Sequence, residues 1–510
     1  MSRSVRSVWS FLSVIAFNVV TMGLALGVTP ILLRTLGSAR YGAARAVMDV
    51  VGYLALFELG LSGAVIPLLA RALAQNDRQR VGATLAAAFR AYSVVLVPML
   101  LGAVVVTFSI PRLVKVDPEL HHELRVACIY AAIPVLLIPL SPLRSLIEAS
   151  QRTYVLSVFV IAQSVLIAVA SVLFAKWGFG IAGQTLAIAT GAILYSALVL
   201  LDGFKTARGL LPPHPLRSDA ALSREIWSLN TPTLIISVCA RVGLLTDNVV
   251  IGSILSAPVI VPFLMTQRLS QIVGSQLQAA GAASWAGLTQ LYTRGERELF
   301  CERFLELNQL VMALGLCTLV PIIVFNHTFV ALWLGESSYG GLALTTIASF
   351  NALLLAISSL WGWLFGGTGQ LGRLVRLSVV SGTVNLLVSV GFTWWMSKRD
   401  PHDAMWGPVL GTASALLLVH VPFTPLLMHR HFQIPIGRLA RTLTKPLLVV
   451  GPFAVLLVWL GARRPPQGWL ALAASMAGAG AALAVLCWLL VLRASDRTLW
   501  LGRLRLVLRR

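Results

Sequence analysis

An all-α polytopic membrane protein is the fold class this sequence predicts, with about fourteen transmembrane helices in two pseudo-symmetric six-helix bundles plus a C-terminal helix pair. Three observations predict it. Hydrophobic residues make up 57% of the 510 positions and charged residues only 12%, against about a quarter charged in an ordinary soluble domain; the mean hydropathy is +0.84. Uncharged or nearly uncharged stretches of about 18 to 25 residues recur along the chain, each long enough to cross about 30 Å of hydrocarbon as a helix. No segment is left over for a sizeable soluble domain, which excludes a water-exposed globular enzyme.

The elements follow from charges, prolines and polar clusters. MSRSVR and the uncharged run from Ser7 to Leu33 have the basic start of a signal peptide, but the run is too long for one and reads as an uncleaved first span. Spans are predicted near 8–33, 43–70, 82–110, 126–147, 155–177, 181–201 and 226–254. A second set follows near 257–290, 304–332, 341–366, 378–396, 407–427, 446–461 and 468–492. The longest interruption contains Pro212, Pro213, His214 and Pro215 between charged ends and reads as a cytoplasmic linker. It divides the chain into an N-terminal six-helix lobe (1–205), the linker (206–225), a C-terminal six-helix lobe (226–430), an extra helix pair (446–492) and a basic tail (493–510). The halves repeat in outline: RALAQNDRQR (71–80) finds a counterpart in TQLYTRGER (289–297), and Gly180 to Gly183 before Thr185 in Gly407 to Gly411 before Thr412. Such parallel repeats place a substrate path between halves in several transporter folds.

The formal charge is +21, from 40 Lys and Arg against 19 Asp and Glu. The basic residues sit mostly between hydrophobic segments, so their first meaning is topological and no nucleic-acid partner is implied. With the amino end inside, the inner loops and tails carry well over half of them. Both termini are therefore expected in the cytoplasm, with the tail against anionic lipid headgroups. Cys128, Cys239, Cys301, Cys317 and Cys487 lie far apart without metal-binding spacing and read as small core hydrophobes.

An ionisable group inside a bilayer is a functional hypothesis by default. Glu58 sits midway along the second span with no opposite charge within four residues, and is expected to face protein or a water-filled cavity. Asp49 has Arg45 one turn earlier, which favours an interfacial i,i+4 pair. Arg241 and Asp247 lie in the seventh span and Arg268 in the eighth; a turn near Ser256 lets Asp247 and Arg268 approach. Two readings stand: a structural ion pair with a snorkelling Arg241, or a net positive cavity holding an anionic group. Arg90, eight residues into the third span, either snorkels to the cytoplasmic surface or reaches toward Glu58 or a substrate phosphate. Asn18 in the first span completes the polar candidates. Arginine outnumbers lysine 35 to 5, and a guanidinium fork suits bidentate phosphate contacts, although a GC-rich genome produces the same bias. Catalytic signals are missing: there is no GxSxG, P-loop or HExxH, no large outer loop, and no cofactor or metal site is expected. His121 and His122 read as solvated surface; His429 and His431 fall on an inner loop suited to lipid headgroups rather than a metal. Any energy must come from an ion gradient, the membrane potential or the substrate gradient.

The stretch TPILLRTLGSARYGAARAVMDVVGYLALFELGLSGAVIPLLARALAQND (29–77) resembles the opening of the bacterial polysaccharide transport proteins. These are the O-antigen flippase-like branch of the multidrug/oligosaccharidyl-lipid/polysaccharide (MOP) exporter superfamily, which also holds multidrug exporters and lipid II flippases. Pro30, the LRTLG ending at Gly37, Tyr41 with Gly42, and Glu58 with Gly60 carry the likeness. TDNVVIGSIL (246–255), VALWLGESSYGG (330–341), GGTGQLGRLVRLSVVSGTVNLLVSVGF (366–392) and WGPVLGT (406–412) follow in the family's order. The resemblance covers nearly the whole chain, through motifs that are individually loose. It implies a V-shaped pair of six-helix bundles around a central cavity, moving undecaprenyl-pyrophosphate-linked oligosaccharide from the inner to the outer leaflet of the bacterial cytoplasmic membrane by alternating access. It implies substrate-facing cations and ion-coupling acids, H⁺ or Na⁺ being the coupled ion and a polysaccharide polymerase a possible neighbour. The resemblance carries over Glu58 and Asp247 as coupling candidates and Arg268 as a substrate candidate, each in a matching motif; Arg34 belongs to the matching LRTLG but lies near the outer end of its span, where it is also placed to be interfacial, and Arg241, Arg90 and Asn18 join the substrate candidates from their places within the spans. The family's usual Tyr ahead of the eighth-span motif is Phe263 here, a residue without a hydroxyl. The last two spans resemble the extra pair of fourteen-span members and suit a groove for the lipid tail. Lipid II flipping and cation-coupled drug export are the alternatives within transporters, and a membrane glycan polymerase or ligase the alternative outside them.

Overall fold

The computed structural model describes residues 3–54, 56–208, 220–400, 402–463 and 465–491; the side chains of residues 3–16, 53–60, 220, 229–230, 232–233, 240–245, 280, 283, 286 and 462 stand outside that description. The basic tail and most of the Pro-rich linker therefore lie outside the described residues, which are helical with no strand. Hydrocarbon offers the backbone no hydrogen-bond partner, so each spanning segment has to satisfy its own N–H and C=O groups. The chain is a multi-pass membrane protein that divides into two compact units, Met1–Val261 and Pro262–Arg510.

The first unit begins with α1 (Arg3–Leu54) and α2 (Leu56–Ala74). α1 is broken at Gly37, whose φ of 79° and ψ of 167° suit a residue without Cβ; this is the end of the LRTLG motif and separates the first expected span from the second. α3 (Arg78–Leu113), α4 (His121–Leu136), α5 (Ser141–Ala149), α6 (Thr153–Lys176), α7 (Gly180–Arg208) and α8 (Ala220–Ile254) follow. α4 and α5 form one pass interrupted by a 3₁₀ turn at Ile138–Leu140, just after Pro134. α8 packs on α1, α2 and α3. Arg40 Nη2 and Glu123 Oε1 pair at 3.0 Å, while Glu123 Oε2 accepts from the Ile181 N–H at 3.0 Å. One carboxylate thus ties the segment after the break to the start of α7, where helix N-terminal N–H groups favour an anion.

The second unit contains α9 (Ile260–Thr293), whose first two residues belong to the first unit, then α10 (Arg297–Leu334), α11 (Leu342–Gly367), α12 (Val375–Ser397), α13 (Gly407–Ala415), α14 (Val421–Phe432), α15 (Ile436–Arg463) and α16 (Gly468–Leu486). A π-helical turn, Leu416–His420, joins α13 to α14 within one pass. Polar side chains tie this unit together: Asn326 Nδ2 donates to the Thr266 carbonyl at 2.8 Å, Asn351 Nδ2 to the Val409 carbonyl at 2.7 Å, and Trp361 Nε1 to Asn308 Oδ1 at 2.8 Å. Such contacts join helices where the hydrophobic effect cannot. α15 and α16 both dock on α10, the Cys317 and Cys487 sulfurs meeting at 3.8 Å. Cys128, Cys317 and Cys487 are buried among apolar neighbours, as expected; Cys239 and Cys301 are only partly buried.

Eleven helices are long and apolar enough to cross a membrane among the described residues, against the fourteen expected. Two physical reasons account for part of the difference. The first expected span and the start of the second are joined in α1, and α9 carries Arg268 and five glutamines that dilute its hydropathy.

The internal repeat appears in the turns. Asp77 N–H bonds to the Ala72 carbonyl and Glu296 N–H to the Leu291 carbonyl, both at 3.1 Å, across left-handed residues Asn76 and Gly295. The next pair of turns does the same: Arg152 N–H reaches Ile147 at 3.2 Å and Gln370 N–H reaches Phe365 at 2.8 Å, across Gln151 and Gly369. Each is a helix stop in which a left-handed residue lets the chain return to the last carbonyls.

Gly42 sets the closest approach in the first unit, since a Cβ there would collide with the Ala257 carbonyl. Gly42→Val is expected to lower the melting temperature of the purified protein, overpacking of this kind costing about 1–3 kcal/mol; an unchanged melting curve contradicts this packing.

Candidate functional site

The helical segment after Gly37 places Tyr41, Arg45 and Asp49 four residues apart, on one face. Arg45 Nη2 and Nε donate to Tyr41 Oη at 2.9 and 3.2 Å, with the guanidinium 5.2 Å from the ring centroid. Arg45 takes part in none of the ion pairs among the described residues. The expected Arg45–Asp49 pair is therefore not formed. Asp49 Oδ2 instead accepts from Asn248 Nδ2 of α8 at 2.5 Å, because α8 lies against this face.

Arg45 and Tyr41 line a cavity of about 260 Å³ between α1, α6 and α7. Thr21, Thr29, Ser164 and Gln184 add polar groups to otherwise apolar walls. Several of these are already engaged: Thr29 Oγ1 donates to the Ala25 carbonyl at 2.6 Å and Gln184 Nε2 to the Ser171 carbonyl at 3.1 Å. That leaves the guanidinium as the group with donors to spare, since Tyr41 occupies only part of its five-donor fork. A cationic fork in an apolar cavity attracts an anionic group strongly, because little water competes.

Asp247 precedes Asn248 in α8 and so falls in the neighbourhood of Asp49, which Asn248 bonds. Asp247 Oδ1 and Asn248 Oδ1 are both buried without a hydrogen-bond partner, and Asn248 as a whole is buried. Two carboxylates in one neighbourhood of low dielectric repel, and protonation of one relieves the repulsion.

The other predicted residues are dispersed. Asn18 is half-buried on the first part of α1, Arg34 is exposed just before the break, and Arg90 is exposed on α3. Glu58 and Arg241 sit on α2 and α8, but their side chains lie outside the described ones. The turn expected near Ser256 is present, with Ser256 extended between α8 and the turn leading into α9; Asp247 belongs to the first unit and Arg268 to the second. Tyr41, Asn248 and Gln184 were missed. The i, i+4, i+8 spacing of Tyr41, Arg45 and Asp49 was the one signal in the sequence that marked them as a shared face.

Residues 7–286 match the family model described as polysaccharide biosynthesis protein. The chain belongs to this family. The matched region takes in Tyr41, Arg45, Asp49, Asp247, Asn248 and Arg268. A curated relative, described as the uncharacterized membrane protein EpsK of Bacillus subtilis (strain 168), is 24% identical over 424 residues covering 80% of each chain. Among solved structures, the lipid II flippase MurJ in an inward closed conformation aligns with a TM-score of 0.68 at 11% identity, covering 94% of this chain and 97% of that one. An inward-facing multidrug resistance MATE family transporter of the MOP superfamily aligns with a TM-score of 0.58 at 14% identity, covering 83% and 95%. This chain thus shares the fold of these two transporters, in agreement with the resemblance read from the motifs.

Losing one charge-assisted contact costs about 1.5–3 kcal/mol, roughly tenfold or more in binding. Arg45→Ala is therefore expected to weaken binding of inorganic pyrophosphate to the purified protein about tenfold, with Arg45→Lys keeping part of the affinity; isothermal titration of both variants checks this, and unchanged binding by Arg45→Ala removes the residue from the site.

Proposed function

We propose that this protein is a flippase for a lipid-linked oligosaccharide, an O-antigen, capsule or exopolysaccharide repeat unit on undecaprenyl pyrophosphate. It carries this unit from the inner to the outer leaflet by alternating access. The observation that carries the reading is Arg45, a guanidinium without a carboxylate partner in an intramembrane cavity, in a chain of the polysaccharide biosynthesis family. A diphosphate ester offers the paired oxygens that such a fork takes bidentately. Arg268, Arg241, Arg90, Arg34 and Asn18 remain the substrate-binding candidates in this reading, and the 206–225 linker the proposed boundary between the N-terminal and C-terminal six-helix lobes.

Asp49 and Asp247 supply the coupling, with Glu58 as a further acid: an incoming H⁺ or Na⁺ neutralises the pair, which changes how α1 and α8 are held together. The protein acts as a transporter rather than an enzyme, in the bacterial inner membrane. Both termini face the cytoplasm, because the turns on that side hold most of the Lys and Arg. A polysaccharide polymerase is its expected neighbour in the membrane.

The likeness to the lipid II flippase structure favours one second reading, transport of the cell-wall precursor itself. Deletion separates the two, since loss of a cell-wall flippase is lethal whereas loss of a surface-polymer flippase is not. A deletion strain is expected to grow, to lose the surface polymer and to accumulate undecaprenyl-pyrophosphate-linked oligosaccharide on the cytoplasmic face, as read by mass spectrometry and sidedness labelling. An unchanged lipid-linked pool and surface polymer overturn the proposal. Asp49→Asn and Asp247→Asn are expected to abolish the dependence of transport in proteoliposomes on an imposed ion gradient; a retained dependence places coupling elsewhere.

A further inference from the structure

A second basic cavity, of about 520 Å³, opens in the second unit between the turn that joins α11 to α12 and the last turns of α14. Arg373, Arg376 and Arg430 line it together with His431, and Phe423 and Leu427 supply an apolar wall. All three guanidinium-bearing residues are exposed. None of the three takes part in an ion pair among the described residues. The one polar partner there is imidazole: Arg373 Nη1 lies 2.6 Å from His431 Nε2 and 2.7 Å from its Nδ1.

The sequence explains why no carboxylate neutralises this group. Between Leu342 and Ser397, and again between Ala404 and Arg463, there is not one Asp or Glu. The helices that build the cavity contain nothing but cations as charged residues. Three like charges gathered at one opening repel each other, so an anion that enters is bound by all of them.

Placement narrows the ligand. α11 ends and α12 begins at this turn, and α14 ends at the same end of the unit, so the cations sit where helices leave the hydrocarbon. Below them Phe423 is exposed on the helix side, offering an apolar surface continuous with the spanning part of α14. A soluble anion such as free phosphate gains nothing from that wall. A phosphate group carried on an acyl or isoprenoid tail gains on both counts, its oxygens meeting the guanidiniums while its tail lies along the helix.

We propose that this cavity is a binding site for the phosphate-bearing headgroup of an anionic membrane lipid, held by Arg373, Arg376 and Arg430. The site is separate from the Arg45 cavity and does not depend on the transport reading. Its ligand chemistry, an anionic phosphate ester on an apolar tail, is shared by phosphatidylglycerol and by polyprenyl phosphates.

Native mass spectrometry of the full-length protein, titrated with phosphatidylglycerol in detergent, tests it. The wild type is expected to retain phosphatidylglycerol about tenfold more tightly than zwitterionic phosphatidylethanolamine. The triple variant Arg373→Gln, Arg376→Gln, Arg430→Gln is expected to lose that preference. If the triple variant fails to fold, the single exposed-site variant Arg376→Gln reports a partial loss. Undecaprenyl phosphate added in competition then identifies the source: displacement at equimolar amounts assigns the site to the isoprenoid, and no displacement assigns it to the bulk phospholipid. Equal retention of the anionic and zwitterionic lipids by the wild type, or an anionic preference that survives loss of the arginines, overturns the proposal.

Discussion

A backbone inside hydrocarbon has no solvent to bond with, and this constraint organises the molecule. It forces helices on every crossing segment, and it removes the hydrophobic effect as a reason for those helices to associate. What holds each unit together is then close contact between small residues and a limited set of polar side chains. Asn326, Asn351 and Trp361 each reach across to another helix in the second unit. Asn248 does the same in the first, bonding Asp49 on the neighbouring helix. Buried polar groups left without such partners become conspicuous for the same reason.

The two candidate sites use opposite solutions to the cost of charge. Near the break in α1, a guanidinium is shared with a tyrosine hydroxyl while Asp49, on the same helix face, is held by an amide of α8, so cationic and anionic groups stand side by side without pairing. At the end of α14, three guanidiniums are left together with no acid in the neighbouring sequence to cancel them. Charge that is not neutralised internally is available to a ligand, and in a membrane the available anions are phosphate esters of lipids.

Membership of the polysaccharide biosynthesis family and the shared MOP transporter fold bring a common architecture to quite different cargoes. A fold does not choose its cargo; the groups lining its cavities do. The Arg45 cavity is cationic, which suits a diphosphate better than an organic cation. The Asp49, Asn248 and Asp247 cluster is of a kind that either sort of transporter can use for coupling.

Much of the fold was legible in the sequence. The membrane-spanning all-helical class, the separation of the first two spans between residues 33 and 43, the turn near Ser256 and the duplicated turns at 71–80 and 289–297 all follow from local properties: hydropathy over a window and helix stops that depend on a few neighbouring residues. Asp247 was also legible, because an acid in an apolar run is visible as such. The partners were not. Spacing along one helix suggested that Asp49 pairs with Arg45, yet Asn248, almost two hundred positions away in the chain, takes the carboxylate and leaves the guanidinium to Tyr41 and the cavity. Arg373, Arg376 and Arg430 are likewise ordinary loop cations in one dimension. Which polar groups meet is decided by helix packing at long sequence separation, and a one-dimensional pattern carries periodicity and charge but not the contacts between distant helices.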